Sequence, residues 1–263
     1  MRVAANLSML FQEAGGLALR YEAAAKAGFK YVECAFPYGE KLAALQEALN
    51  RNGLQQVLIN SPPGNWNEGF RGLACLPDKK EEFRLSIETA VEYAKGLNCS
   101  KIHVMAGVSS SEHLRLTCEQ CYLENLEFAA KRMLNEGITC LIEPINHFSI
   151  PGYFLFSYEQ ALGYLEQINQ PNLKLQLDIF HAQLLCGKLT DTIQRVWPCT
   201  GHVQVAQAPD RHEPDSDGEI NYGYVFDLLR KKEYDGFIGG EYLPAAQTSS
   251  GLHWIQKYDL VLD

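Results

Sequence analysis

The chain has 263 residues, with 23 Lys and Arg against 32 Asp and Glu, a net charge of −9; 46% of residues are hydrophobic and 21% charged. This is soluble-globular composition and excludes disordered, collagenous and coiled-coil chains. A pI near 5.3 leaves no basic surface to neutralise phosphates, so neither nucleic acid nor an anionic membrane is an expected partner.

Residues 1–8 do not read as a signal peptide, because Asn6, Ser8, Gln12 and Glu13 interrupt the apolar stretch. In chain order the pattern predicts a strand over 3–6, a helix over 17–27, a strand over 31–33 and a helix over 41–51. Strand 56–60, helix 80–95, strand 101–105 and helix 118–135 follow. Next come strand 138–143, helix 158–168, strand 173–178 and a less regular helical stretch over 184–196. Strand 202–205, helix 222–232, strand 237–241 and helix 251–258 complete the series. Gly28, Gly53, Gly137 and Gly236 mark helix exits just ahead of strands. No run approaches the roughly 18–20 apolar residues of a membrane-spanning helix. The eight cysteines are scattered. Cys118-x-x-Cys121 lacks the second pair that zinc spacing needs, so the set reads as small hydrophobes in a reducing, cytoplasmic setting.

Strands alternating with helices imply a parallel sheet. Eight β/α units of about 33 residues each match a closed (β/α)8 TIM barrel, with residues 1–263 as a single catalytic domain. A doubly wound sheet is the alternative, but no G-x-G-x-x-G turn follows the first strand and no P-loop is present.

Side chains of a barrel strand alternate between lumen and helix layer. Counted back from the strand ends, Glu143, Asp178, Gln204 and Glu241 point inward, with Ile142, Leu177, Val203, Val205 and Ile238 outward. Asn60 is inward after Val57 and Ile59, and His103 is inward between Ile102 and Val104. Asn6 and Glu33 also sit at or near strand ends. Polar residues at the C-terminal strand ends converge on the mouth where barrel active sites lie.

Glu143, Asp178, Gln204 and Glu241 are 35, 26 and 37 residues apart, about one β/α unit each, and should form an arc on one side of that mouth. Three carboxylates so close repel unless a cation sits between them. An all-oxygen set with one neutral amide suits a hard divalent metal, Mg²⁺ or Mn²⁺, over zinc. Such an ion acidifies the C–H between a carbonyl and its neighbouring hydroxyl. Glu143 and Glu241 can then serve as the base and acid of an isomerisation or epimerisation. Metal-assisted hydrolysis remains open on the carboxylates alone. His103, a lone strand histidine, reads as an interior group.

Six segments carry a resemblance. They are Asn60-Ser61-Pro62-Pro63-Gly64, Leu141-Ile142-Glu143-Pro144-Ile145-Asn146, Leu177-Asp178-Ile179-Phe180-His181, Gly201-His202-Val203-Gln204-Val205-Ala206-Gln207, Gly218-Glu219-Ile220-Asn221-Tyr222 and Gly240-Glu241-Tyr242. In this order, nearly end to end, they resemble the hydroxypyruvate isomerase family of xylose-isomerase-like barrels. Sugar epimerases and the endonuclease IV repair enzymes are relatives of that family. The resemblance implies interconversion of hydroxypyruvate and 2-hydroxy-3-oxopropanoate (tartronate semialdehyde). It implies catalytic Glu143 and Glu241, and metal ligands Glu143, Asp178, Gln204 and Glu241, with Gln204 standing where sugar epimerases usually carry His. It further implies substrate contacts at His181, in a D-x-x-H pattern, and at Arg211 in the loop after the seventh strand; Asn60 joins them at its strand end.

A small anionic hydroxy-oxo acid needs a cation besides the metal, and Arg211 can grip a carboxylate with its planar fork. The long segment 61–79 reads equally as a lid or as a structural loop. Rival readings are the same chemistry on a 2-oxo-tetronate or a ketose, a phosphodiesterase, and a barrel that only binds partners. Few of the seven histidines stand at strand ends and the net charge is −9, against the phosphodiesterase; the intact glutamates stand against the binding barrel. The sequence leaves the oligomeric state open, a homo-oligomer included.

Overall fold

A computed structural model describes residues 1–109 and 115–262. Eight parallel strands pair in sequence order and close, β8 against β1. They are β1 (Arg2–Asn6), β2 (Tyr31–Cys34), β3 (Gln55–Asn60), β4 (Lys101–His103), β5 (Thr139–Ile142), β6 (Leu173–Asp178), β7 (Thr200–Val205) and β8 (Phe237–Gly240). The helices are α1 (Leu17–Lys26), α2 (Leu42–Asn52), α3 (Lys80–Gly96), α4 (Arg115–Leu134), α5 (Tyr158–Ile168), α6 (Ile179–Cys186), α7 (Leu189–Val196), α8 (Tyr222–Lys231) and α9 (His253–Lys257). The closed TIM barrel is the expected fold, and every predicted strand is present. Among the described residues no helix is long and apolar enough to cross a membrane.

Helix ends follow local chemistry. The Ser157 hydroxyl accepts from Gln160 N at the start of α5, and Asn221 accepts from Tyr224 N at the start of α8. Gly53 ends α2 at φ 62°, a left-handed conformation cheap only without a Cβ. The irregular stretch 184–196 resolves into parts of two helices. α6 starts earlier, at Ile179, and the chain turns at Gly187 and Lys188, both at positive φ, before α7.

The apolar residues form two cores. Val32, Ile59, Ile102, Ile142, Leu177, Val205 and Ile238 face the helices and belong to one large outer cluster. A small inner cluster of Ala4, Val57, Leu58 and Leu141, with Tyr31 and Phe237 packed on it, plugs the barrel below the polar layers. Val57 corrects the strict alternation expected of its strand. Val32 pairs with Gln56 but Glu33 pairs with Leu58, so β3 carries an extra residue opposite β2. Such a bulge resets the parity. Val57 turns to the interior cluster, Gln56 accepts a hydrogen bond from Tyr21 of α1 at 2.8 Å, and Asn60 still reaches the mouth.

Candidate active site

The inward residues of β6 and β7 and those just beyond β5 and β8 meet as the alternation requires. Glu143, Asp178 and Gln204 are buried, and the Glu241 side chain is 15% exposed. Asp178 ends β6 and also caps α6: its Oδ1 accepts from Phe180 N at 2.8 Å. That bond aims Oδ2 at Arg211, whose Nη2 lies 3.4 Å from it and 2.6 Å from Glu241 Oε2. The Arg211 guanidinium rests over the Phe180 ring at 4.9 Å. Glu241 Oε1 accepts from Asn6 Nδ2 at 3.0 Å. Glu143 is held differently. Gln176 Nε2 donates to its Oε2 at 3.1 Å, and its Oε1 has no partner among the described residues.

A layer deeper lies a polar network that joins Gln204, Glu33 and Asn6, named from the strand ends, to Gln176, His202 and Lys101, which were not. Gln176 Nε2 also donates to Gln204 Oε1 at 2.7 Å, and Gln204 Nε2 donates to Glu33 Oε1 at 2.7 Å. Asn6 Nδ2 donates to Glu33 Oε1 at 3.0 Å. Glu33 Oε2 lies 2.7 Å from His202 Nε2, and His202 Nδ1 lies 3.4 Å from Lys101 Nζ. Gly239 makes room for this centre: a Cβ there would stand 2.5 Å from a Glu33 carboxylate oxygen. Gln176 and His202 each precede a named site residue by two positions. Continuing the alternation inward from Asp178 and Gln204 is the signal that finds them.

Two buried carboxylates and the partly buried Glu241 face one guanidinium. Burial, with Glu241 and Asp178 close by, pushes Glu143 well above the usual carboxylate range, against the pull of Arg211. Burial likewise raises Glu241 to about 8, with Arg211 opposing and Asp178 and Glu33 adding, and it raises Asp178. Burial lowers His181 far below its ordinary value, and Arg211 and His103 add to that.

These groups border a cavity of about 310 Å³. Glu143, Glu241, Arg211, His181 and His103 form its polar floor. Met9, Phe36, Trp66, Met105, Ile145 and Ile150 supply apolar wall, and Ser8, Asn60 and Ser149 add hydroxyl and amide groups. The Asn60 side-chain amide makes no hydrogen bond among the described residues. Segment 61–79 divides in two. Leu73, Ala74 and Cys75 are buried, Cys75 N donates to Ala106 O, and Asn125 Nδ2 donates to Ala74 O, so this part is structural. Trp66, 43% exposed, lies against Phe36 at 5.6 Å and under Arg71 at 3.8 Å, at the cavity rim.

Glu143, Asp178 and His181 each place a ligand atom within 4.8 Å of the others, close enough to share an ion. His181 Nδ1 is 2.6 Å from Asn146 Nδ2, whose Oδ1 accepts from Phe148 N and Ser149 N; this fixes Nδ1 as the acceptor. The ring proton then sits on Nε2, 3.6 Å from Asp178 Oδ2, and faces the site as a donor. The lone pairs on offer are therefore oxygen, which fits a hard cation. Glu143 Oε1 fits the same demand, because an unsatisfied buried acceptor costs about 1–3 kcal/mol. Gln204 is buried with its amide oxygen on Gln176 and its nitrogen on Glu33.

Comparison with known proteins agrees with this fold. The model of the xylose isomerase-like TIM barrel family matches residues 21–258. A 2-oxo-tetronate isomerase of Cupriavidus necator is 45% identical over 98% of each chain. The hydroxypyruvate isomerase of Escherichia coli is 43% identical over 98% of this chain and 99% of its own. The crystal structure of an AP endonuclease, family 2, from Brucella melitensis superposes with a TM-score of 0.94 at 42% identity, covering 98% of both chains. With likeness of this extent over a barrel whose mouth gathers two glutamates and an arginine, the chain belongs to the hydroxypyruvate isomerase family of xylose isomerase-like TIM barrels, and it is an isomerase.

Proposed function

We propose that the enzyme interconverts hydroxypyruvate and 2-hydroxy-3-oxopropanoate through an ene-diolate. The observation that carries this is the pair Glu143 and Glu241 in one small cavity with Arg211. Carboxyls held above their ordinary range keep a proton near neutrality, as groups that take and return one must. Glu143 and Glu241 exchange protons with the two neighbouring carbons. Arg211, the lysine or arginine among the described lining residues, binds the substrate carboxylate. His181 donates its Nε2–H to a substrate oxygen, and Asn60 orients the substrate from the rim. Glu143, Asp178, Glu241 and the Gln204 amide oxygen are the proposed ligands of Mg²⁺ or Mn²⁺, Gln204 giving up its bond from Gln176 to do so. When bound, the ion acidifies the substrate C–H and stabilises negative charge on its oxygens.

The test is a panel of small hydroxy-oxo acids and ketoses with and without EDTA, followed by NMR. Hydroxypyruvate should be converted, and EDTA should abolish conversion. No conversion, or conversion indifferent to EDTA, would overturn the reading. A second reading, a 2-oxo-tetronate as substrate, is favoured by Ser8, Asn60 and Ser149 on the cavity wall, which suit an extra hydroxyl, and by the Cupriavidus necator relative's name. The ratio of kcat/KM within the panel separates the two.

A further inference from the structure

Among the described residues three histidines are buried, and two of them are engaged. His202 stands between Glu33 and Lys101, and His181 is fixed by Asn146. His103, at the end of β4, is 1% exposed, and neither ring nitrogen has a hydrogen-bond partner among the described residues. Glu143 Oε2 lies 3.7 Å from Nδ1, beyond hydrogen-bond range. The ring is not enclosed by apolar atoms: it forms part of the cavity floor beside Glu143. A buried imidazole has one donor and one acceptor to satisfy, and leaving both unmet opposes folding. A fold that partners its other interior histidines and leaves this one bare beside the reacting groups has reserved it for something that enters the cavity.

We propose that His103 is a further catalytic residue of this isomerase, donating a ring N–H to the oxygen on the substrate carbon that Glu143 serves, and so steadying the charge that gathers there. The proposal rests on the isomerase reading above. The ring stands beside Glu143 on the cavity floor, where an N–H can reach a substrate oxygen. A neutral imidazole polarises an oxygen as a donor without giving up its proton. The protons that move are those carried by Glu143 and Glu241, and His103 ends each turnover as it began.

The experiment compares metal-loaded wild type with His103→Leu and His103→Gln. A donor used mainly in the transition state lowers kcat and spares KM. His103→Leu should lose about 10²–10³-fold in kcat, the cost of one such donor, with KM within about threefold. His103→Gln keeps an N–H and should stay within about tenfold of wild type. The leucine variant should melt no lower than wild type, because it removes unsatisfied polar atoms. In ¹⁵N-histidine protein, the planar mimic oxalohydroxamate should shift a His103 ring nitrogen, which decides the matter if the leucine variant does not fold. A kcat within threefold of wild type in His103→Leu, a joint fall of kcat and melting temperature in both variants, or ring nitrogens blind to the mimic would overturn the proposal. A wild type that converts no substrate overturns the isomerase reading and this proposal with it; an active wild type matched by His103→Leu overturns this proposal alone.

Discussion

Glu143 and Glu241 differ in how firmly they are held. Both oxygens of Glu241 are occupied, by Asn6 and Arg211, whereas Glu143 keeps one oxygen free. Glu241→Gln is nearly isosteric and should leave the barrel folded while turnover falls about 10²–10⁴-fold. Glu143→Gln should behave alike, and the double variant should lose little more, since the two act as a unit. Steady-state kinetics with metal bound decides, and more than a third of wild-type turnover in either variant refutes its role. Gln204→Leu should weaken Mn²⁺ binding, measured by calorimetry, at least tenfold. Unchanged affinity would leave Gln204 as a strut between Gln176 and Glu33. The positions of Glu143, Asp178, Gln204 and Glu241 were legible because a strand alternates and its last inward residue faces the mouth. The partners of Gln204 were not, because a hydrogen bond between strands far apart in sequence leaves no periodic trace.

At the scale of elements, Asp178 explains why the start of α6 escaped the pattern. One residue both finishes a strand and caps a helix, so no loop residues announce the change. The segment after β3 shows a similar limit: its length suggested a lid, but composition could not divide the buried stretch at Leu73–Cys75 from the Trp66 rim. Trp66 is held by a ring on one side and a guanidinium on the other. Trp66→Gly should loosen this rim and admit solvent before reprotonation. Turnover in D₂O should then place more deuterium on the new C–H carbon than wild type does, read by NMR. If faster amide exchange confirms a loosened rim and product carries no deuterium, the proton-transfer route gives way to a direct hydride shift.

Across the whole molecule, the buried charges set how stability follows pH. In metal-free protein Glu143 and Glu241 retain protons that the unfolded chain, titrating near 4.5, has released. The folded state then binds more protons, so stability is lost as pH rises towards and through about 8. His103, His181 and His202 lie below their ordinary 6.5 and act in the opposite sense, but only under about that pH. Between pH 6.5 and 8 the carboxylates dominate. The melting temperature in EDTA should therefore fall across that interval by calorimetry, and fall less in Glu241→Gln. Mn²⁺ at 100 times its Kd adds about 2.7 kcal/mol. A melting temperature in EDTA that is flat or rising from pH 6.5 to 8 contradicts the raised carboxyls.

The supernumerary residue in β3 makes that strand tolerant of a change in length that barrel strands ordinarily refuse. Removing Val57 would join Gln56, opposite Val32, directly to Leu58, opposite Glu33, and so restore uninterrupted pairing. Asn60 would keep its aim. Removing Ile59 instead would shift the pairing by one and turn Asn60 into the helix layer. The first deletion should yield a folded, active enzyme, less stable by the lost packing of one valine, while the second should not; circular dichroism and turnover of the two tell them apart. Insertions and deletions among relatives of this chain would then accumulate at position 57, where the lineage can lengthen or shorten a core strand without moving its catalytic mouth.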